Sequence, residues 1–151
     1  FNNTSPTSTE FSLGYGSDGN TNNQDYVAYV FWETDFCKPI SYTGSGSADG
    51  PMANLGISPE FWIHKKSSAI ENWYMLDSAR SPYNGGNKKQ LVADQANAEV
   101  DVVVHGDFVS NGFKIRDAGD HINGSAGTYI GLAIGTPTQG GSKKPSQARG
   151  R

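Results

Sequence analysis

Cysteine occurs once, at position 37, so no disulfide can form within the chain and the cysteine-rich kind of zinc site is excluded. A lone cysteine of this kind reads as a small buried apolar residue. No apolar run approaches the roughly 20 residues that cross a bilayer, and the start shows no charged stretch leading into an apolar one, so membrane insertion is not expected. Charge of one sign is also missing. A net charge of −3 with 18% charged residues leaves no strongly basic face to hold phosphates, which argues against a nucleic-acid partner. Helical periodicity is equally scarce, with Leu91 to Glu99 the best stretch and good for one or two turns at most.

Glycine is abundant. Its 19 copies, with many Asn, Ser and Thr, point to short strands joined by turns, because glycine weakens helix interiors and supplies the positive φ of tight turns. Strand candidates are Tyr26 to Glu33, Pro39 to Tyr42, Phe61 to Lys65, Trp73 to Asp77, Val100 to His105, Phe113 to Arg116 and Tyr129 to Ile134. Turn signals separate them: Ser-Ala-Asp-Gly at 47 to 50, Asn-Gly-Gly at 84 to 86, and Asn-Gly at 111 and 123. Tyr26 to Glu33 is apolar on both alternating faces, as a strand covered on both sides would be. Tyr129 to Ile134 carries Gly131 and Ala133 on one face, which predicts a close neighbour there. Together these features predict an all-β, antiparallel β-sandwich of jelly-roll type with little helix.

The chain also repeats itself. Phe11-Ser12-Leu13 and Tyr26 to Val30 reappear as Phe113-Lys114-Ile115 and Tyr129 to Ala133, at offsets of 102 and 103 residues. A duplicated module suits an array, a fibre or a display protein. The expected organisation is therefore residues 1–35 as the closing strands of a preceding copy, 36–137 as a complete sandwich module, and 138–151 as a flexible basic tail bearing Lys143, Lys144, Arg149 and Arg151. Starting at Phe1, inside the first copy, the chain reads as a piece of a longer or processed protein.

No catalytic motif emerges. Gly44 to Pro51 is glycine-rich but lacks the Lys-Ser or Lys-Thr pair and the helix of a phosphate loop, and no Gly-x-Ser-x-Gly elbow occurs. Glu33, Asp35, Glu60, Glu71 and Asp77 are the carboxylates from which a glycosidase pair would have to be drawn. His64, His105 and His121 each follow a carboxylate by four residues, namely Glu60, Asp101 and Asp117. On a strand that spacing spans roughly 13 Å, too far to share an ion, so no metal and no cofactor are expected. Aspartates 18, 25, 49, 107, 117 and 120 read as loop residues, with only a faint likeness to a calcium loop at Asp117 to Asp120. The densest recognition-type cluster is Trp62, Trp73, Tyr74, Asp77, Arg80 and Tyr83, since flat aromatic faces beside hydrogen-bonding groups are the equipment for holding sugars. The competing expectations are core packing for each aromatic residue and a loop-tying ion pair for Arg80.

Three strings, Ile40 to Pro51, Asn72 to Asn84 and Phe108 to Lys114, resemble a repeated module of bacteriophage tail-fibre-like and other virion-associated proteins, and the resemblance covers about Phe36 to Ile134. It departs at the end of the second copy, which closes Ile134-Gly135-Thr136-Pro137 where the first closes Phe31-Trp32-Glu33. The resemblance implies a β fold at a virion surface and a non-enzymatic structural or receptor-recognition role. Its implied partners are other virion proteins, further copies of itself (a trimer if it is a fibre) and a host-surface polysaccharide. The alternatives are a capsid decoration protein and a polysaccharide-degrading tailspike.

Overall fold

The structure is a computed structural model and describes residues 3–17, 19–102 and 105–138. The expected tail from 139 onward, with its four basic residues, lies outside the described residues, as does Asp18. The chain separates into two compact units, Phe1–Val30 and Phe31–Arg151, against the 35/36 boundary expected from the repeat.

In the second unit the strands follow as β1 (Cys37–Thr43), β2 (Met52–Asn54), β3 (Ile57–Lys66), β4 (Tyr74–Asp77), β5 (Lys88–Val92), β6 (Val100–Val102), β7 (Gly106–Val109), β8 (Gly112–Ile115) and β9 (Thr128–Pro137). A four-residue helix, α1 (Asp120–Asn123), sits between β8 and β9. A six-stranded sheet in the order β1-β9-β3-β4-β5-β6 faces a three-stranded sheet in the order β2-β8-β7, and every pairing is antiparallel. This is the all-β, sandwich-like fold that the turn spacing predicts.

The core is the space between the sheets. Ile40, Ile57, Trp62, Leu76 and Ala133 from the large sheet meet Phe113 and Ile115 from β8, with Ile122 of α1 closing one end. Trp62 stacks on Phe113 with ring centroids 4.4 Å apart, and Phe108 meets Phe113 edge-on at 5.1 Å. Each large side chain so buried stabilises the fold by about 1.5–3 kcal/mol. A register shift between Pro59 and Phe61 decides which residues of β3 take part. Ile57 and Pro59 face inward before it, and Trp62, His64 and Lys66 after it, because the extra residue flips the two-residue alternation. β9 lies between β1 and β3 in this sheet, where Gly131 faces His64, and a Cβ on Gly131 would lie 2.1 Å from the Ile63 carbonyl oxygen. The close neighbour predicted for this face of Tyr129 to Ile134 is therefore β3.

Three expectations are corrected. Tyr26 to Glu33 is not a strand: among the described residues before Cys37 no strand or helix forms, and Tyr29 and Trp32 are 84% and 68% exposed. A strand needs hydrogen-bonded partners, and among the described residues this segment enters no ladder. Leu91 to Glu99 is not helical either, since Leu91 and Val92 end β5 and pair with Met75 and Tyr74. Two of the six aspartates expected in loops are in regular elements: Asp107 is buried in β7 and Asp120 opens α1. Cys37 is buried, as expected. No helix among the described residues is long and apolar enough to cross a membrane.

Candidate functional site

Along β3 the inward positions change from apolar to polar, from Trp62 to His64 to Lys66, and the polar end of the sandwich is where titratable groups gather. His64 is fully buried. The Trp62 Nε1–H donates to its Nδ1 at 3.1 Å, which leaves the ring proton on Nε2, and among the described residues Nε2 finds no hydrogen-bond partner. From there a series of rings crosses the end of the sandwich. His64 stacks on Tyr74 at 5.6 Å, Tyr74 meets His121 edge-on at 5.3 Å, and His121 meets His105 edge-on at 4.7 Å.

His105 lies just before β7, Asp117 in the loop leaving β8, and His121 in α1. His105 Nδ1 is 2.7 Å from Asp117 Oδ2 and 3.2 Å from His121 Nε2, and His121 Nε2 is 3.7 Å from Asp117 Oδ2. The side chains of His105, Asp117 and His121 are 5%, 21% and 27% exposed, so the group is rooted in the core and open on one side. The sequence offers a local reason for the arrangement. Gly119 lets the His121 ring fold back over the loop, since a Cβ there would lie 2.6 Å from the ring, and its N–H donates to Asp117 Oδ1 at 2.7 Å.

A four-residue helix cannot hold itself, so tertiary bonds must place α1. Tyr42 and Tyr129, stacked at 4.9 Å, donate their hydroxyls to the carbonyls of Ile122 and Asp120 at 2.9 and 2.6 Å. Lys66 grips the Asp120 carboxylate through both oxygens, at 2.6 and 2.7 Å. The fully buried Asn123 side chain accepts the Ser45 N–H at 2.7 Å and donates to the carbonyls of Ser47 and Asp117, each at 2.7 Å. Asn123 thus joins the Gly44 to Gly50 loop to the loop that carries Asp117.

Burial sets the protonation states. It pushes the His64 pKa down to about 3, reinforced by the charges of His105 and His121, and the nearby His121 carbonyl favours the proton without reaching hydrogen-bond geometry. Burial also pushes His105 down, although its hydrogen bond to Asp117 works the other way. Burial alone would raise Asp117, but the Gly119 N–H and His105 outweigh it, so the carboxyl falls below its ordinary range.

The six residues expected to bind a ligand do not form one site. Trp62 is a core residue, walled in by Phe113 and His64, so its expected contact role is corrected. Tyr74 also faces inward, in the ring series, with its hydroxyl donating to Glu71 at 2.8 Å. Asp77 lies opposite Phe61, one position on from the Trp62 to Leu76 pair, and so belongs to the other face of the sheet. It binds Arg80 at 2.5 Å, and Arg80 also binds Glu99 at 2.6 Å, which is the loop-tying role. Trp73 is half-buried, and its amide and carbonyl are held by Asp94 and Ala93. Tyr83, 80% exposed, is the one of the six displayed to solvent.

The histidine cluster was not foreseen. The Asp117 to His121 spacing is visible in the sequence, but four residues of loop or strand keep the two groups apart, and no second histidine is close to either in sequence. One helical turn at 120–123 and a hairpin that returns His105 to the same end bring all three together.

Residues 1–136 match the family model described as Domain of unknown function (DUF7483). No curated protein and no solved structure matches the chain.

Proposed function

We propose that this chain, which belongs to the DUF7483 family, is a non-catalytic structural and recognition module of a bacteriophage particle, acting at the virion surface. The observation that carries this reading is the exposed apolar run from Tyr26 to Trp32, whose first part repeats the sequence of β9. Contiguous apolar surface of this kind marks a place where another chain belongs. Among the described residues of the second unit β1 pairs only with β9 and forms one edge of the large sheet. A β9-like segment from a second copy has on that edge the same kind of backbone partner that β9 itself uses, and strand addition joins the copies. Linked copies then need only weak contact apiece with a host-surface glycan, because effective concentration does the rest. Of the six residues expected to bind a ligand, Tyr83 is the aromatic one displayed for that contact.

The carboxylates favour binding over hydrolysis. Glu33 is paired with Lys38 at 2.9 Å, Asp77 with Arg80, and Glu71 accepts from Tyr74, so these three serve as structural partners.

Sedimentation of the full chain tests the reading. Association at micromolar concentration, lost in a Tyr29→Ser/Trp32→Ser double variant and accompanied by competition with phage adsorption that weakens in Tyr83→Ala, is the expected result. A monomer that neither associates nor touches host envelope overturns it, as does release of reducing ends from host polysaccharide. Binding to capsid shells without any effect on adsorption would replace it with a decoration role.

A further inference from the structure

We propose that His105, Asp117 and His121 form a binding site for a single divalent transition-metal ion, zinc by preference. The argument begins with lone pairs. His105 Nδ1, His121 Nε2 and Asp117 Oδ2 converge on one point, at separations of 2.7, 3.2 and 3.7 Å. A proton on His105 Nδ1 serves Asp117 but leaves His121 Nε2 competing for the same hydrogen. A proton on His121 Nε2 instead leaves the His105 and Asp117 lone pairs facing each other at 2.7 Å. One cation at the centre answers all three.

The dimensions agree. Tetrahedral zinc with bonds of about 2.0–2.1 Å sets its ligand atoms about 3.3 Å apart, and the three observed separations straddle that value. One ligand atom from each residue lies within 4.8 Å of the others. Two imidazoles and one carboxylate suit zinc and its first-row neighbours better than calcium or magnesium, which take oxygen ligands. Access exists as well, since Asp117 and His121 are partly exposed and leave a fourth position open to water. The ligands are also held in advance, Asp117 by the Gly119 N–H and His121 by the stapled helix α1.

A bound ion would cross-link three separate pieces of chain: the start of β7, the loop after β8, and α1. Its role is therefore stabilisation of the polar end of the sandwich, and the site stands or falls independently of the virion reading.

The test uses the full chain stripped with chelator and titrated with zinc chloride, and with cobalt chloride as a visible-absorption probe. Expected are one equivalent bound, a tetrahedral cobalt spectrum, and a melting temperature raised on the order of 5–10 °C at a hundredfold excess over Kd. Asp117→Asn and His121→Ala should each weaken binding 10-fold or more, while Asp101→Asn, on exposed β6, should leave it unchanged. Equal binding by His121→Ala, or no saturable binding below about 1 mM, overturns the proposal. If His121→Ala fails to fold, proton NMR of the native chain decides: zinc must shift the ring resonances of His105 and His121 together, and unchanged rings sink the site.

Discussion

Asn123→Ala removes the side chain on which the polar end of the sandwich converges. In the native fold the amide satisfies three backbone groups, the Ser45 N–H and the carbonyls of Ser47 and Asp117, all at 2.7 Å and from a fully buried position. Each hydrogen bond contributes about 1 kcal/mol net, and each group left buried without a partner costs about 1–3 kcal/mol. Ser45 and Ser47 lie on an exposed loop, so water can reach their freed groups more readily than it can the half-buried Asp117 carbonyl. The loss should be about 2–4 kcal/mol, read as a shifted urea midpoint with an unchanged slope. Asn123→Asp provides the internal control. It keeps the acceptor for Ser45 but turns both donor contacts into a carboxylate facing carbonyl oxygens, so it should cost at least as much as alanine. Amide exchange at Ser45 and Gly46 should quicken in both variants, since Gly46 N–H is bonded to the Asn123 carbonyl. A loss below about 0.5 kcal/mol, or an aspartate variant as stable as the native chain, would refute the view that this amide fastens the two loops.

Acid should weaken the fold in a defined window. His64 has its pKa depressed to about 3 by burial, so the unfolded chain binds the extra proton first, and stability is full above roughly pH 6.5 and falls as the pH drops toward 3. The shift corresponds to about 4–5 kcal/mol at the acid end, and the depressed His105 and Asp117 add to it with the same sign. Urea melts in chelator across this range check it, and a flat profile contradicts it. Trp62→Ala should cost about 3–5 kcal/mol through loss of the Phe113 stack, while glycan binding, if measured on the surviving fold, should not depend on Trp62 chemistry. A Trp62→Phe variant that folds normally but loses ligand would contradict the core assignment. Removing Arg80 as Arg80→Met should loosen the loop between β4 and β5, seen as faster amide exchange at Ser81, with little change in global stability.

Much of the fold was legible because strand signals are local. Pro39 to Tyr42, Phe61 to Lys65, Trp73 to Asp77, Phe113 to Arg116 and Tyr129 to Ile134 all lie within or against observed strands, and their aromatic and β-branched residues explain why. Met52–Asn54, Lys88–Val92 and Gly106–Val109 carry no local strand signal, for an equally physical reason. Met52–Asn54 is three residues long, and the other two carry Lys, Gln, Gly and Asp at positions made suitable only by their neighbours, such as Lys88, which is fully buried and donates to the Tyr83 carbonyl. Tyr26 to Glu33 failed in the opposite direction. Its residues prefer a strand, but a strand is a relation between segments, and preference without a paired edge yields exposed chain.

The candidate site was hidden for a reason that combines both failures. Reading along the chain finds His105 twelve residues from Asp117 and gives no reason to join them. The joining is done by the tight turn at Ser110-Asn111, which sends β8 back along β7 in register, Val109 opposite Gly112 and Gly106 opposite Ile115, and so returns Asp117 to the level of His105. The third member depends on α1, a turn of helix with no side-chain cap and no length to stabilise it, placed by Tyr42, Lys66, Asn123 and Tyr129 from distant strands and from the helix itself. The inward phase of His64 and Lys66 depends in turn on the irregularity between Pro59 and Phe61, without which Phe61, Ile63 and Lys65 would point into the sandwich and the polar end would not exist. Local propensity can place the strands, but the chemistry at their end is set by one extra residue in β3 and one buried amide in α1. Deleting Glu60, which removes that extra residue, should therefore disrupt the histidine cluster from across the sheet. Loss of the zinc-induced shift at His105 in a folded deletion variant would support this dependence, and an unchanged shift would refute it.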